Sequence, residues 1–201
     1  MEKLLEAAGK VSDQAEVYGL ESRTSVVEFE NAALHDIKET MTSGVSLRVI
    51  KGGRLGFGHT RNLRSREELV GNALASLSGG VEAGFDFPGK ASLPELKTFD
   101  AGVEKSSSPD LVAECARMAG ELGSRTKGEI VARAWSAEQT LSIANTKGLD
   151  VSVRSSECGL AAAAVFPGSA CSIGRSVRFR GPGRMSQAAL DDVVWPFHPG
   201  P

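Results

Sequence analysis

The sequence predicts an α+β fold built of antiparallel β-meanders with flanking helices, in an order of helix, strands and helix that occurs twice. Three observations carry this reading. Apolar residues alternate with polar ones at period two in several runs, as in strands with one buried face. Two stretches place apolar residues at helical spacing behind N-terminal capping signals. Two turn sequences, Lys51-Gly52-Gly53-Arg54 and Asn145-Thr146-Lys147-Gly148, join strand-like runs.

Residues 2–8 open the chain as a short helix, with Leu4, Leu5 and Ala8 on one stripe and Gly9 as its stop. The period then changes to two. Val17 and Gly19 alternate with Glu16, Tyr18 and Leu20; Val27 and Phe29 alternate with Val26, Glu28 and Glu30; Val45, Leu47 and Val49 alternate with Ser46 and Arg48. Residues 33–40 (ALHDIKET) are more polar and are read as a further strand. After the glycine turn, Leu55, Phe57 and His59 alternate with Gly56, Gly58 and Thr60, which completes a meander. Ser65 with Glu68 reads as a capping box, in which each side chain satisfies a free backbone N–H of a helix start. Leu69, Val70, Ala73, Leu74 and Leu77 form that helix's apolar stripe, and Gly79-Gly80 end it.

Residues 81–107, with Gly84, Pro88, Gly89, Pro94 and a serine run, read as a long surface connection between two lobes. Ser108 is the expected N-cap of a second helix, with Pro109 at its first position. Leu111, Val112, Cys115, Met118, Ala119 and Leu122 are its buried stripe. Strands follow at 130–135, 140–144, 149–154, 159–166 and 171–179. The expected organisation is one domain over 1–180, with lobes at 1–80 and 108–180 joined by 81–107. Residues 181–201 diverge: a short amphipathic stretch (Ala188, Ala189, Val193) runs into a proline-rich end. This tail is expected to be disordered or truncated.

Composition bounds the function. In 201 residues, 23 Lys and Arg stand against 25 Asp and Glu, a net charge of −2 that excludes a bulk electrostatic nucleic-acid binder. Aromatics are 5%, too few for a stacking platform. The longest apolar run, residues 160–166, falls short of the roughly 20 residues a bilayer span needs, so no membrane partner is expected. Three widely spaced cysteines without a CxxC, and an N-terminus unlike a secretory signal, point to a reducing, cytoplasmic setting.

Candidate chemistry is sparse. His35, His59 and His198 lack a second histidine at i+4, the spacing that puts two imidazoles on one helix face for zinc. Cys115 falls on a helical core stripe; Cys158 and Cys171 could face each other across a hairpin. The run Gly52-Gly53-Arg54-Leu55-Gly56-Phe57-Gly58 lies between strands and lacks the Lys-Ser/Thr of a phosphate loop, so it reads as a hairpin. Arg175, Arg178, Arg180 and Arg184 form a basic stretch, read as a solvated face or a contact for an acidic partner. Glu67-Glu68 and Asp191-Asp192 are adjacent pairs, which do not face each other on a helix. No catalytic or metal-binding residue is assigned.

Several segments taken in order resemble a known family. They are Asp13-Gln14-Ala15-Glu16-Val17-Tyr18; the strand 26–31 and its turn; Ser43-Gly44-Val45-Ser46-Leu47-Arg48-Val49; Gly53-Arg54-Leu55-Gly56-Phe57-Gly58 with Thr60-Arg61-Asn62-Leu63; and Ala144-Asn145-Thr146-Lys147-Gly148-Leu149 before the small-residue strand 158–165. Over about residues 10–180 the chain resembles the N-terminal domain of the TldD/PmbA (TldE) family, known as modulators of DNA gyrase and linked to peptide maturation and antitoxin breakdown. The helix at 108–122 and the turn at 145–148 resemble the PmbA/TldE side. The resemblance implies a metallopeptidase complex in which a TldD-type subunit carries an HExxxH-type zinc site in its C-terminal domain, while a PmbA/TldE-type subunit lacks that motif and pairs with TldD. It implies no zinc or other cofactor in this chain and a non-catalytic role in assembly and in shaping a chamber for peptide. The implied partners are a TldD-like subunit or a C-terminal domain, and peptide through the complex. A stand-alone peptide- or protein-binding module and an inactive truncated remnant are the alternatives. Because the two helices can cover only part of the predicted apolar sheet surface, the isolated chain is expected to self-associate.

Overall fold

The structure, a computed structural model, describes residues 1–62, 65–166, 168 and 172–194. The elements in chain order are α1 (Glu2–Gly9), β1 (Gln14–Glu30), β2 (Ala33–Lys51), β3 (Arg54–Thr60), α2 (Arg66–Ala75) with a 3-10 turn (Ser76–Gly79), α3 (Gly102–Lys105), α4 (Ser108–Gly123), β4 (Glu129–Asn145), β5 (Asp150–Val165), β6 (Ser172–Phe179) and α5 (Gln187–Val194). This is the predicted α+β class. The strands form one six-stranded antiparallel sheet in the order β3-β2-β1-β4-β5-β6.

Strands predicted as separate runs are continuous. The runs at 17–20 and 27–29 both lie in the 17-residue β1, and the polar segment 33–40 is the first half of the 19-residue β2. β4 and β5 each merge two predicted runs in the same way. Two compact units divide these strands. The first comprises Met1–Ser22, Met41–Leu96 and Gln139–Arg154; the second comprises Arg23–Thr40, Lys97–Glu138 and the chain from Ser155 onward.

In the first unit, Leu4 and Ala8 of α1 and Leu69, Val70 and Ala73 of α2 pack with Ala15, Val17, Val45, Leu47 and Val49 from the strands. Leu74 and Leu77 are only partly buried against this cluster. The β2–β3 turn takes Gly52 and Gly53 at φ of 56° and 71°, a region open to glycine without a Cβ penalty. Ser65 is the N-cap of α2 as predicted, but its side chain makes no capping bond, so the expected box with Glu68 does not form. The outer edge of β3 is occupied by the chain itself. Leu55 N–H donates to the Val81 carbonyl at 2.9 Å, Phe57 N–H to Ser76 Oγ at 2.7 Å, and Ala83 N–H to the Gly53 carbonyl at 2.8 Å.

In the second unit, α4 buries Leu111, Cys115, Met118, Ala119 and Leu122 against Val27, Phe29, Ile130, Ala132, Ala134, Leu160, Ala162 and Ala164. Its N-cap is Ser107, one residue before the expected Ser108. The Asp110 carboxylate accepts from Ser107 N–H at 2.8 Å and Oγ–H at 2.6 Å. Both bonds favour its charged form and lower its pKa. Within the stretch expected to diverge and fray, Gln187–Val194 form α5 and bury Leu190, Val193 and Val194 in the same core.

The burial pattern sets a graded expectation. Leu69→Ala or Leu111→Ala should lower stability by about 2–5 kcal/mol, the usual effect of emptying a packed site. Leu74→Ala should lose less, and His35→Ala, on an exposed segment, should stay within roughly 0.5 kcal/mol. Denaturant titration checks the ranking; equal losses at Leu69 and His35 would contradict the packing described here.

Candidate functional site

In the first unit, the start of β1 carries polar residues into a buried position. Gln14 is 9% and Glu16 5% exposed. A buried carboxylate is costly unless paired, and Arg48 of β2 pairs it, donating from both Nε, at 3.0 Å, and Nη2 to Glu16 Oε1. The same guanidinium lies 5.2 Å from the centre of the Phe87 ring, a cation–π contact. Gln14 holds the other side of this turn: its Oε1 accepts Phe87 N–H at 2.9 Å, and its amide donates to the Asp86 carboxylate. Asn145 is also buried. It donates to the Pro88 carbonyl at 2.9 Å while its Oδ1 accepts the N–H groups of Lys147 and Leu149. Segment 86–88, inside the predicted surface connection, is thus clamped by residues from three strands and the β4–β5 turn. The sequence places Gln14 and Glu16 within a family-like segment and assigns them no role. The signal it does contain is the pair of polar residues flanking Ala15 at a strand start.

In the second unit, Arg117 of α4 bridges Glu114 and Glu121, donating to Glu114 Oε2 at 2.9 Å and to Glu121 Oε1 at 2.8 Å. It also donates to the Met185 carbonyl at 3.1 Å, so one guanidinium ties α4 to the chain entering α5. The two glutamates raise its pKa. A polar cleft of about 200 Å³ near the start of α4 is lined by Arg23, Ser25, Ser106, Ser107 and Ser136, with Glu104 and Glu138. No histidine lines it, so none of its serines meets the base of a Ser-His-Asp arrangement there.

The residues of β5 that alternate with its buried set, Ala161 and Ala163, line with Val131, Gly174 and Ser176 an open trough of about 340 Å³, to which Glu28, Arg133 and Arg175 add charge. Trp135 lies over Gly159, where a Cβ would fall 1.8 Å from the indole ring, so only glycine admits this stacking. The indole donates to Glu157 Oε1 at 3.0 Å. The trough offers shape and close backbone approach rather than reactive groups.

The titratable residues singled out from sequence do not converge. His35 and His59 are exposed on β2 and β3, and His198 lies outside the described residues. Cys115 and Cys158 are free and buried; Cys171 lies outside the described residues, and Cys158 faces Phe179 across the β5–β6 ladder. Three arginines of the basic stretch are neutralised within the unit: Arg175 by Asp192, Arg178 by Glu157 and Arg184 by Glu114. Asp191 pairs instead with Arg125, so the two adjacent aspartates serve different partners. Among the described residues, no three His, Cys, Asp or Glu side chains are grouped to hold a metal ion, and no helix is long and apolar enough to cross a membrane.

Residues 15–77 match the family described as PmbA/TldA metallopeptidase domain 1. Three solved structures share the fold. A candidate modulator of a DNA gyrase from Thermotoga maritima superposes with a TM-score of 0.84 at 20% identity, over 96% of this chain and 46% of that one. TldE from Thermococcus kodakarensis gives 0.83 at 17% identity, over 97% and 46%. A candidate modulator of DNA gyrase from Bacteroides thetaiotaomicron gives 0.83 at 16% identity, over 97% and 48%. The chain therefore spans about half the length of each. At these identities the likeness establishes the fold. No curated protein matches the sequence.

The buried thiols give a pH dependence. Burial pushes the Cys115 thiol from its ordinary 9.0 up to about 12, and burial also raises Cys158. The unfolded chain therefore releases protons that the folded one retains once pH passes 9.0. The stabilisation is complete below pH 9 and is lost as pH rises towards 12. Chemical denaturation from pH 8 to 11 should show this fall, and Cys115→Ala should flatten it. A stability that rose over this range would contradict the assignment.

Proposed function

We propose that this chain, whose residues 15–77 match the family described as PmbA/TldA metallopeptidase domain 1, is a non-catalytic domain of a metallopeptidase complex acting on peptides. Its work is assembly with a TldD-like subunit or a C-terminal domain, and shaping the chamber that receives peptide. The observation carrying this reading is the family match, together with a fold that answers to about half of a solved TldE. We assign the chain to the PmbA/TldE side, on the helix 108–122 and the turn 145–148.

Among the described residues, none is grouped to hold zinc. The two described histidines are exposed on separate strands, and burial pushes the Cys115 thiol up to about 12, away from the thiolate that zinc requires. No hydrolytic step is therefore assigned to this chain; zinc and the cleavage chemistry belong to the TldD-like partner. The trough at Ala161, Ala163 and Gly174 supplies a sheet surface of small side chains, against which another backbone packs closely.

The test is reconstitution. Mixed with a TldD-like subunit, the chain should form a complex on gel filtration, and peptide cleavage should appear in the mixture. By itself, after dialysis, it should hold no stoichiometric zinc and cleave nothing. One zinc per chain, or cleavage by the chain alone, would overturn the proposal. Failure to form the complex, combined with capture of an extended peptide by the chain alone, would establish the binding-module reading in its place.

A further inference from the structure

The first half of β2, Ala33-Leu34-His35-Asp36-Ile37-Lys38-Glu39-Thr40, is exposed at every position. β3 pairs with β2 only from Val45 to Lys51, and β1 lies on the other side of β2 in the sheet order. Among the described residues, then, these eight form an unpaired sheet edge in the second unit. Such an edge presents a row of free backbone N–H and C=O groups and invites another strand. Leu34 and Ile37 stand 48% and 46% exposed along it, so the edge also carries apolar side chains in water.

Its charges decide what fits. Glu39 is held by Arg23 at 2.5 Å, and His35 lies 3.3 Å from Glu30, both within the β1–β2 hairpin. Asp36 and Lys38, which flank Ile37, make no side-chain hydrogen bond or ion pair among the described residues. We propose that the edge pairs antiparallel with the same edge of a second copy of this chain, centred on Ile37. That register sets Asp36 of each copy opposite Lys38 of the other, His35 opposite Glu39, Leu34 opposite Thr40, and Ile37 opposite itself. Opposite charges facing across strands stabilise the pairing, and like charges oppose it. A shift of one or two positions in one direction brings His35 against Lys38 or Asp36 against Asp36. In the other direction it brings Asp36 against Glu39 or Lys38 against Lys38. The charge pattern therefore selects one register, and that register is two-fold symmetric, as a closed dimer requires.

The other sheet edges do not compete. β3 is covered by residues 76–83 of its own chain. β6 carries no acidic residue to face Arg175 and Arg178 of a second copy, and both arginines already have partners in Asp192 and Glu157, so no charge pattern favours pairing two copies there. The inference is independent of the complex proposed above, since it rests on residues 33–40 alone. One paired edge buries less than the roughly 1,200 Å² of a standard stable interface, so the dimer should be weak and dissociate on dilution.

Sedimentation of the full chain over a concentration series tests this. The chain should dimerise reversibly, and salt should weaken the dimer because the deciding charges are exposed. Lys38→Asp should raise the dissociation constant by roughly tenfold, by replacing two attractive facing pairs with two repulsive ones. Asp36→Lys combined with Lys38→Asp restores both pairs in swapped order and should recover dimerisation. Circular dichroism should be unchanged for both variants, because both positions are exposed. A chain monomeric up to roughly millimolar concentration, self-association insensitive to Lys38→Asp, or a double variant no better than the single one would each overturn the proposal.

Discussion

Four strands of 16 to 19 residues each run through both compact units, and the rest of the structure depends on that constraint. β1 gives Ala15 and Val17 to one core and Val27 and Phe29 to the other. The two apolar runs of β1 have to hold one register across the polar residues between them, because a slip of one position would turn every buried side chain outward. Neither unit is a continuous piece of chain; each gathers three separate stretches. Long-range pairing of this kind incurs loop-closure entropy before packing offsets it. The helices then have only to close the two cores, α1 and α2 over one and α4 and α5 over the other.

The buried polar groups act where regular structure gives way to loops. Gln14, Glu16 and Arg48 fix segment 86–88, and Arg117 fixes the approach to α5. Each places a charge or amide where apolar packing alone would leave the loop undirected, and each is satisfied by a partner, as buried polar groups must be. None of these residues is arranged as a nucleophile beside a base. The chemistry that the described residues of these units display is that of shape, ion pairing and strand edges.

Much of this is legible in the sequence, and the failures have local causes. The α+β class, the Gly52-Gly53 turn, the Asn145–Gly148 turn and the Cys115 core position follow from period and turn chemistry that act within a few residues. The continuity of β1 is not legible, because Gly19, Arg23 and Ser25 interrupt the alternation between its two apolar runs. The 33–40 strand is polar because it is an edge, so it lacks the apolar signal of a buried strand. α5 reads as the start of a frayed tail because a single turn of Leu190, Val193 and Val194 gives little periodicity. The clamp at 86–88 joins residues more than 70 positions apart, which no local pattern reveals.

Amide hydrogen exchange on the wild-type chain and on Leu47→Ala tests the shared-strand account most directly. Leu47 is fully buried in the first unit's core and is absent from the second. If long strands bind both cores into one cooperative structure, the substitution speeds exchange at Val27 and Phe29 as well as at Val17. Faster exchange confined to Val17 and its neighbours, with Val27 and Phe29 protected as before, would contradict it.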